Sequence, residues 1–518
     1  MINKSCFLLT VLILAPLMNA SEQRPNILFA LADDASFPYM SAYGCEWVST
    51  PAFDKVAETG LLFNKCYTPN AKCAPSRSAI LTGRNSWQLE ECANHWNNFP
   101  AKFKTVADSL NDSNYHVGYT GKGWAPGVAK TEDGKRRDVI GKRYNKQTLT
   151  PPTRHISNND YSGNFRDFLD AKPDHQPFFF WYGSLEPHRG YEYQSGAKIG
   201  GLKTESIDEV PPFWPDDERV RHDMLDYAFE LQHFDEHLGK MLALLEERGE
   251  LDNTLVVVTA DNGMPFPRVK GQAYEHSNHL PMAMSWPDGI AKPGRTIDSF
   301  MSFIDLTPTW LQVAEVDQPE SGMQPITGNS LVPLFECDEA EPVRDYVLIG
   351  KERHDIGRPN DWGYPIRGLV KDGYLLVLNY EPTRWPAGNP ETGYLNCDGS
   401  PTKTVLLEAR YSPERRHYWQ WAFGFRPSEE LYRIDRDPAC MVNLANDPAY
   451  LRIKESMHKE LVEKLTDEGD PRMFGNGDIF DNYPYADPRL RNYYDKFMQG
   501  TAPEARWINA SDVQPVEE

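Results

Sequence analysis

Pro25-Asn26-Ile27-Leu28-Phe29-Ala30-Leu31-Ala32-Asp33-Asp34 opens as an unbroken apolar run and closes on two carboxylates. A strand with one wet face alternates apolar and polar residues. A run without alternation suits a strand covered on both faces, as in a parallel sheet with helices on either side. Strand-like runs recur at Tyr115 to Thr120, Pro177 to Ser184 and Thr254 to Ala260, with helical patterns between them. The clearest helix spans His222 to Arg248. Leu225, Ala228, Leu231, Phe234, Leu238, Met241, Leu242 and Leu245 share one face, and Gly249 stops it. This alternation predicts an α/β fold, a mostly parallel sheet sandwiched by helices. Functional groups then belong at the carboxyl ends of the strands.

Outward from that core the texture changes at both ends. From about Tyr364, Ile366 to Val370 and Tyr374 to Leu378 flank Lys371-Asp372-Gly373 and predict a hairpin with Asp-Gly at its turn. We therefore expect a main domain over residues 21–362 and a smaller α+β domain with a tail over 363–518, built on an antiparallel sheet. The tail beyond Asp470 is expected either to wrap the surface or to stay partly mobile. At the amino end, Lys4, the apolar Phe7 to Leu17 and the small-residue site Met18-Asn19-Ala20 read as a signal peptide over residues 1–20. That apolar run is too short to span a bilayer, and no later one is long enough. An exported protein, periplasmic or secreted, is expected.

The formal charge of −21 over 518 residues argues against non-specific binding to nucleic acid or anionic membrane. It also repels long polyanions, so any anion pocket must be local, and short saccharide ends fit better than a wide polymer groove. Of eight cysteines, Cys6 leaves with the signal. Cys45, Cys66, Cys92, Cys337, Cys397 and Cys440 allow disulfides in an oxidising compartment, with no pairing readable and no zinc-site spacing. Asp33 and Asp34 close one strand and Asp261-Asn262-Gly263 closes another. Three carboxylates and an amide oxygen at adjacent strand ends make an all-oxygen site for a hard cation, Ca²⁺ or Mg²⁺.

Cys73-Ala74-Pro75-Ser76-Arg77, followed by Leu81-Thr82-Gly83-Arg84, resembles the signature of the type I sulfatases. The resemblance implies an alkaline-phosphatase-like fold. It also implies that a maturation enzyme oxidises Cys73 to formylglycine, whose hydrate attacks sulfur with one hydroxyl and expels sulfate with the other. Pro75 suits the first turn of a helix, which places residue 73 at an anion-favouring amino end. By the same resemblance Asp33, Asp34, residue 73, Asp261 and Asn262 would surround a metal, usually calcium. Arg77, Lys122, His188 and Lys270 would complete the catalytic pocket. Lys122 departs from the family pattern, because Gly123 and Trp124 follow it where many members carry a histidine. The base for sulfate release stays open between His276, His279 and a metal-bound hydroxide.

Asp261 to Pro267, Ile304-Asp305-Leu306-Thr307-Pro308-Thr309, Arg416-His417-Tyr418 and Glu430-Leu431-Tyr432 resemble the heparan N-sulfatase branch. A sulfated, glycosaminoglycan-like oligosaccharide is the expected substrate. Trp124, His276, Arg353 and His354, with Trp362, Trp419 and Trp421, are candidates to hold the sugar. A homodimer is left open. The alternatives are a phosphonate monoester or phosphodiester hydrolase with the same nucleophile, and a silent sulfosaccharide-binding homologue.

Overall fold

In a computed structural model, the structure describes residues 24–336 and 341–516. The expected signal segment and Cys337 lie outside the described residues. Nine strands form the central sheet. In spatial order they are Arg295–Ile297, Leu61–Tyr67, His279–Ser285, Thr254–Ala260, Asn26–Ala32, Phe178–Gly183, His116–Gly121 and Lys142–Arg143, with Met301–Ser302 also paired to Leu61–Tyr67. Only His279–Ser285 runs against its neighbours. The mostly parallel sheet expected from the apolar runs is therefore present.

The pleat explains why those runs do not alternate. Leu28, Ala30 and Ala32 enter one hydrophobic core, and Ile27, Phe29 and Leu31 enter the core on the other face. Phe180 and Val258 follow the first set, Trp181 and Val257 the second. One core is covered by the 30-residue helix Glu218–Glu247. It begins before His222 because the Asp217 side chain caps it by accepting from the Arg219 amide.

A second sheet is antiparallel, in the order Tyr346–Lys351, Ile366–Lys371, Tyr374–Asn379, Glu429–Tyr432. Its first strand lies upstream of residue 363. The hairpin turn holds Asp372 and Gly373 at φ of 50° and 77°, the left-handed pair that a tight hairpin needs. One face packs against Tyr67 and Tyr274 of the main domain, the other against Met457, Leu461 and Leu465 of the helix Leu451–Asp467. The tail packs back on both domains, on the main one through Trp96 and on the smaller one through Leu395. Ala486 N donates to the Trp96 carbonyl at 2.8 Å, and Trp507 Nε1 donates to the Leu395 carbonyl at 2.9 Å. The six described cysteines are free thiols. No helix of the described residues is long and apolar enough to cross a membrane.

Candidate active site

Four adjacent parallel strands end on the same edge of the sheet, and their backbones stay paired for one residue beyond. Asp33 N donates to Glu186 O at 3.0 Å, Asp261 N to Ala32 O at 3.1 Å and Lys122 N to Gly183 O at 2.7 Å. Gly121 makes the last contact feasible: its φ is +73°, and a Cβ there would lie 2.0 Å from the Gly183 carbonyl oxygen. Asp33, Asp34, Lys122, Asp261 and Asn262 thus converge because the sheet is parallel. Asp34 itself has φ of 78°, a conformation uncommon for a residue with a side chain. His188 arrives on the loop after Phe178–Gly183. The loop is anchored by the Glu186 carboxylate, which accepts from Tyr161 Oη at 2.7 Å and Ser184 Oγ at 2.6 Å.

Above this edge stands the helix Cys73–Thr82, with Lys72 as its extended N-cap. Cys73 is its first residue, as the position of Pro75 predicts. Its Sγ lies 3.4 Å from Asp33 Oδ1 and 3.8 Å from Asp34 Oδ1. One turn on, Arg77 is completely buried. Its Nε donates to Asp261 Oδ2 at 2.7 Å, its Nη2 reaches Asp33 Oδ1 at 3.4 Å, and its Nη1 donates to the carbonyls of Lys122 and Gly123 at 2.8 and 2.7 Å. Lys122 Nζ meets Asp33 Oδ2 at 2.5 Å. Lys270 Nζ meets Asp34 Oδ2 at 2.6 Å and Asp398 Oδ2 at 3.2 Å.

The electrostatics follow from burial opposed by pairing. Burial pushes Asp33 up, but Lys122, His188 and Arg77 together hold it well below the ordinary carboxylate range. Asp34 is pushed up to about 6, by burial first and the Asp33 charge second, against the pull of Lys270. The Cys73 thiol is raised far above its usual value by burial and then by Asp33, so it is a poor nucleophile as a cysteine. Burial, then Lys270, lowers His188 to about 4. His188 Nδ1 sits 2.5 Å from the Arg189 carbonyl, which only accepts, so Nδ1 carries the hydrogen and Nε2 the lone pair. That Nε2 is 3.9 Å from Asp34 Oδ2.

The residues present fit a cation. Ligand atoms of Asp33, Asp34, Cys73 and Asp261 all lie within 4.8 Å of one another. The Asn262 side-chain oxygen is buried beside them with no hydrogen-bond donor, while its Nδ2 donates to Asp34 and Asp261 at 2.7 and 2.6 Å. An orphaned acceptor amid carboxylates is what a hard cation satisfies. Among the described residues, Asp33, Asp34, Asp261 and Asp398 are ion-paired with three fixed cations, Arg77, Lys122 and Lys270. A divalent ion would turn that deficit into a net positive pocket.

Cys73, Lys122, His188 and Lys270 open into a cavity of about 600 Å³, within the range of small-molecule sites. Trp124 lines it and is fixed by donating from Nε1 to Ser78 Oγ at 2.8 Å. Five other expected residues lie elsewhere. Arg353 is buried, donating to the Tyr483 carbonyl at 2.8 Å and stacking over Tyr485. His354 is spent between Gly271 O and Asn70 Oδ1, at 3.1 and 2.8 Å. His276 and His279 line a different cavity, so neither faces Cys73. Trp419 is core, beneath Arg410.

In their place the structure brings His95, Asp355, Asp398 and Trp507 to the cavity. His95 Nδ1 lies 3.2 Å from Asp355 Oδ1, and Lys72 Nζ lies 2.8 Å from Asp355 Oδ2. Burial lowers His95 to about 4, against the Asp355 charge, and its Nε2 is buried without a partner. No local motif marks these residues, although His95 and Trp507 fall in sequence near neither signature.

A protein-family model described as Sulfatase matches residues 25–316, more than half of the chain. The chain belongs to the sulfatase family. Among its relatives, human N-sulphoglucosamine sulphohydrolase is 28% identical over 489 residues, covering 86% of this chain and 91% of the human protein. An ulvan-active sulfatase of Formosa agariphila is 27% identical over 458 residues, covering 87% of this chain and 82% of that protein. The solved complex of BT4656 with its substrate D-glucosamine-2-N,6-O-disulfate shares the fold, with a TM-score of 0.59, 19% identity, and coverage of 86% of this chain and 98% of that one. This family member is an enzyme of the sulfuric ester hydrolase class.

Proposed function

We propose that this enzyme is an exported, formylglycine-dependent sulfatase that removes sulfate from a sulfated amino-sugar saccharide, by N–S or O–S cleavage. The observation that carries the reading is Cys73 itself, the first residue of a buried helix, 3.4 Å from Asp33 and ringed by Arg77, Lys122 and Lys270. A buried thiol with a raised pKa has no evident use there, and an oxidised residue 73 does.

Asp33, Asp34, Asp261 and Asn262 would hold Ca²⁺ or Mg²⁺, which supplies positive charge against the nucleophile and a sulfuryl oxygen. As formylglycine hydrate, residue 73 supplies one hydroxyl to attack sulfur and a second to expel sulfate afterwards. The remaining steps belong to side chains in place. Lys122 and Lys270 carry fixed positive charge to the sulfuryl oxygens, where charge is held through the reaction. Arg77 donates to both Asp33 and Asp261 and so fixes the carboxylates that surround residue 73. His188 Nε2 faces the leaving group. An arriving anion raises its proton affinity and lets it protonate the departing oxygen or nitrogen. Asp398, ionised beside Lys270 and close to His188, stabilises that proton.

The relative named for N-sulphoglucosamine supports an amino-sugar substrate, and residues 1–20 support export. The test is sulfate release by protein made together with a formylglycine-generating enzyme. N-sulfoglucosamine, 6-O-sulfated N-acetylglucosamine, an aryl sulfate and an aryl phosphonate are compared. Turnover of a sulfated sugar is expected. Turnover of the phosphonate alone would overturn the proposal.

A further inference from the structure

Between Lys130 and Lys146 the chain carries seven Lys and Arg against three Asp and Glu, a local excess of four positive charges in a chain of formal charge −21. Some of these charges are spent. Arg137 is tied to the Phe103 carbonyl at 2.9 Å and to Asp108 at 2.5 Å, and Lys135 pairs with Asp133 at 2.6 Å. Arg143 has no ion-pair partner among the described residues. Arg136 makes only a loose, exposed contact with Asp138 at 3.5 Å.

Their placement is not random. Arg143 lies on the edge strand Lys142–Arg143, in register with Tyr119 of the strand that ends at Lys122. Arg136 and Arg143 both line the cavity that holds Cys73, Lys122 and His188, with Tyr119 and Trp124 beside them. Arg136 also borders a cleft of about 270 Å³ that shares Tyr119, Trp124 and Gly127 with this cavity. Asp355 and Asp398 also line the cavity, but each is paired with a lysine of the same lining, Lys72 at 2.8 Å and Lys270 at 3.2 Å. Arg136 and Arg143 are thus the exposed cationic stripe of the lining, whereas Lys72, Lys122 and Lys270 are paired with buried carboxylates. On so acidic a protein such a stripe focuses anions locally without attracting long polyanions to the rest of the surface.

We propose that Arg136 and Arg143 form a second anion subsite, which takes a sulfate or carboxylate on the saccharide beyond the group being hydrolysed. The enzyme then selects saccharides carrying at least two anionic groups. This rests on the reading of the cavity as the reaction site. It adds to that reading which part of the substrate is held, and from which wall.

The experiment measures binding rather than turnover. The Cys73→Ala protein is titrated calorimetrically with a sulfated glucosamine, with the same sugar joined to a uronic acid, and with that uronic acid sulfated. The second anion is expected to tighten binding about tenfold, and the carboxylate and sulfate arms tell which anion does so. Raising salt from about 0.05 to 0.5 M should shrink the gain, because both arginines are exposed. Arg136→Ala with Arg143→Ala should bring the ratio of two-anion to one-anion affinity close to one, and Arg→Glu at both should invert it. Lys240→Ala with Lys459→Ala, charges removed elsewhere, should keep the ratio. A ratio near one in the parent, a ratio unchanged in the double variant, or no binding of any of the three sugars would overturn the proposal. Aryl sulfate turnover by the matured enzyme reports on the reaction separately.

Discussion

Replacing Arg77 by Met removes the guanidinium at the centre of the site while keeping most of its aliphatic volume. Arg77 is wholly buried, and its lost contacts are the 2.7 Å bond to Asp261 Oδ2, the 3.4 Å contact to Asp33 and donors to two carbonyls. Asp261 Oδ2 is left without that donor; Oδ1 keeps the Asp34 amide at 3.1 Å and Asn262 Nδ2 at 2.6 Å. Breaking one side of a buried pair costs about 3–5 kcal/mol, because the stranded charge cannot return to water. Arg77→Met should lose that much stability in urea unfolding followed by tryptophan fluorescence, measured in a chelator. With saturating calcium the loss should fall by roughly half or more, since Asp261 would again face a cation, and ligand binding to the native state adds its own stabilisation. Arg77→Lys should recover only part of the loss, because one ammonium cannot reach both carboxylates and both carbonyls. A loss under about 1 kcal/mol in chelator would refute the buried-pair reasoning. A loss independent of calcium would remove these carboxylates from the metal site.

Three further outcomes are expected. His188→Ala should slow sulfated sugars at least about tenfold more than an activated aryl sulfate, and equal losses on both would take general-acid work away from His188. Gly121→Ala puts a Cβ 2.0 Å from the Gly183 carbonyl oxygen at φ of +73°. It should cost about 2–4 kcal/mol and move Lys122, seen as a higher KM together with lower urea stability; a neutral result would show that the two strand ends are less closely locked than described. Asp235 accepts from the amides of Ala52 and Phe53 at 2.8 Å each, yet burial lifts its carboxyl from 3.8 to about 7. A raised acid favours the folded state in its neutral form. Its contribution is therefore complete below about pH 4 and lost as pH rises through about 7, and Asp235→Asn should flatten that stretch of the stability–pH curve, an unchanged slope counting against the shift.

Much of the site was legible because its signals are local. Asp33-Asp34 follow an apolar run, Asp261-Asn262 follow another, and Cys73 to Arg77 form one helical turn, so the strand ends could be aligned once the sheet was read as parallel. What was not legible depends on chain returns. Asp398 reaches Lys270 from 128 residues away, and His95 meets Asp355 across 260. Trp507 reaches the cavity only because the tail folds back. The same ignorance of tertiary packing misplaced Arg353, which is buried with Nη1 on the Tyr483 carbonyl, and His354, whose ring nitrogens are taken by Asn70 and Gly271. Their chemistry suits a sugar, but their burial does not. His276 and His279 fail as bases for a related reason. The chain reverses into the antiparallel strand His279–Ser285 and carries them to another cavity.

The most direct test of the account is the mass of the tryptic peptide Cys73-Ala74-Pro75-Ser76-Arg77, released by cleavage after Lys72 and Arg77, from protein made with a formylglycine-generating enzyme. Formylglycine at position 73 requires that the thiol sulfur is gone and an aldehyde oxygen stands in its place. An intact cysteine, in folded protein that still releases sulfate, would contradict it.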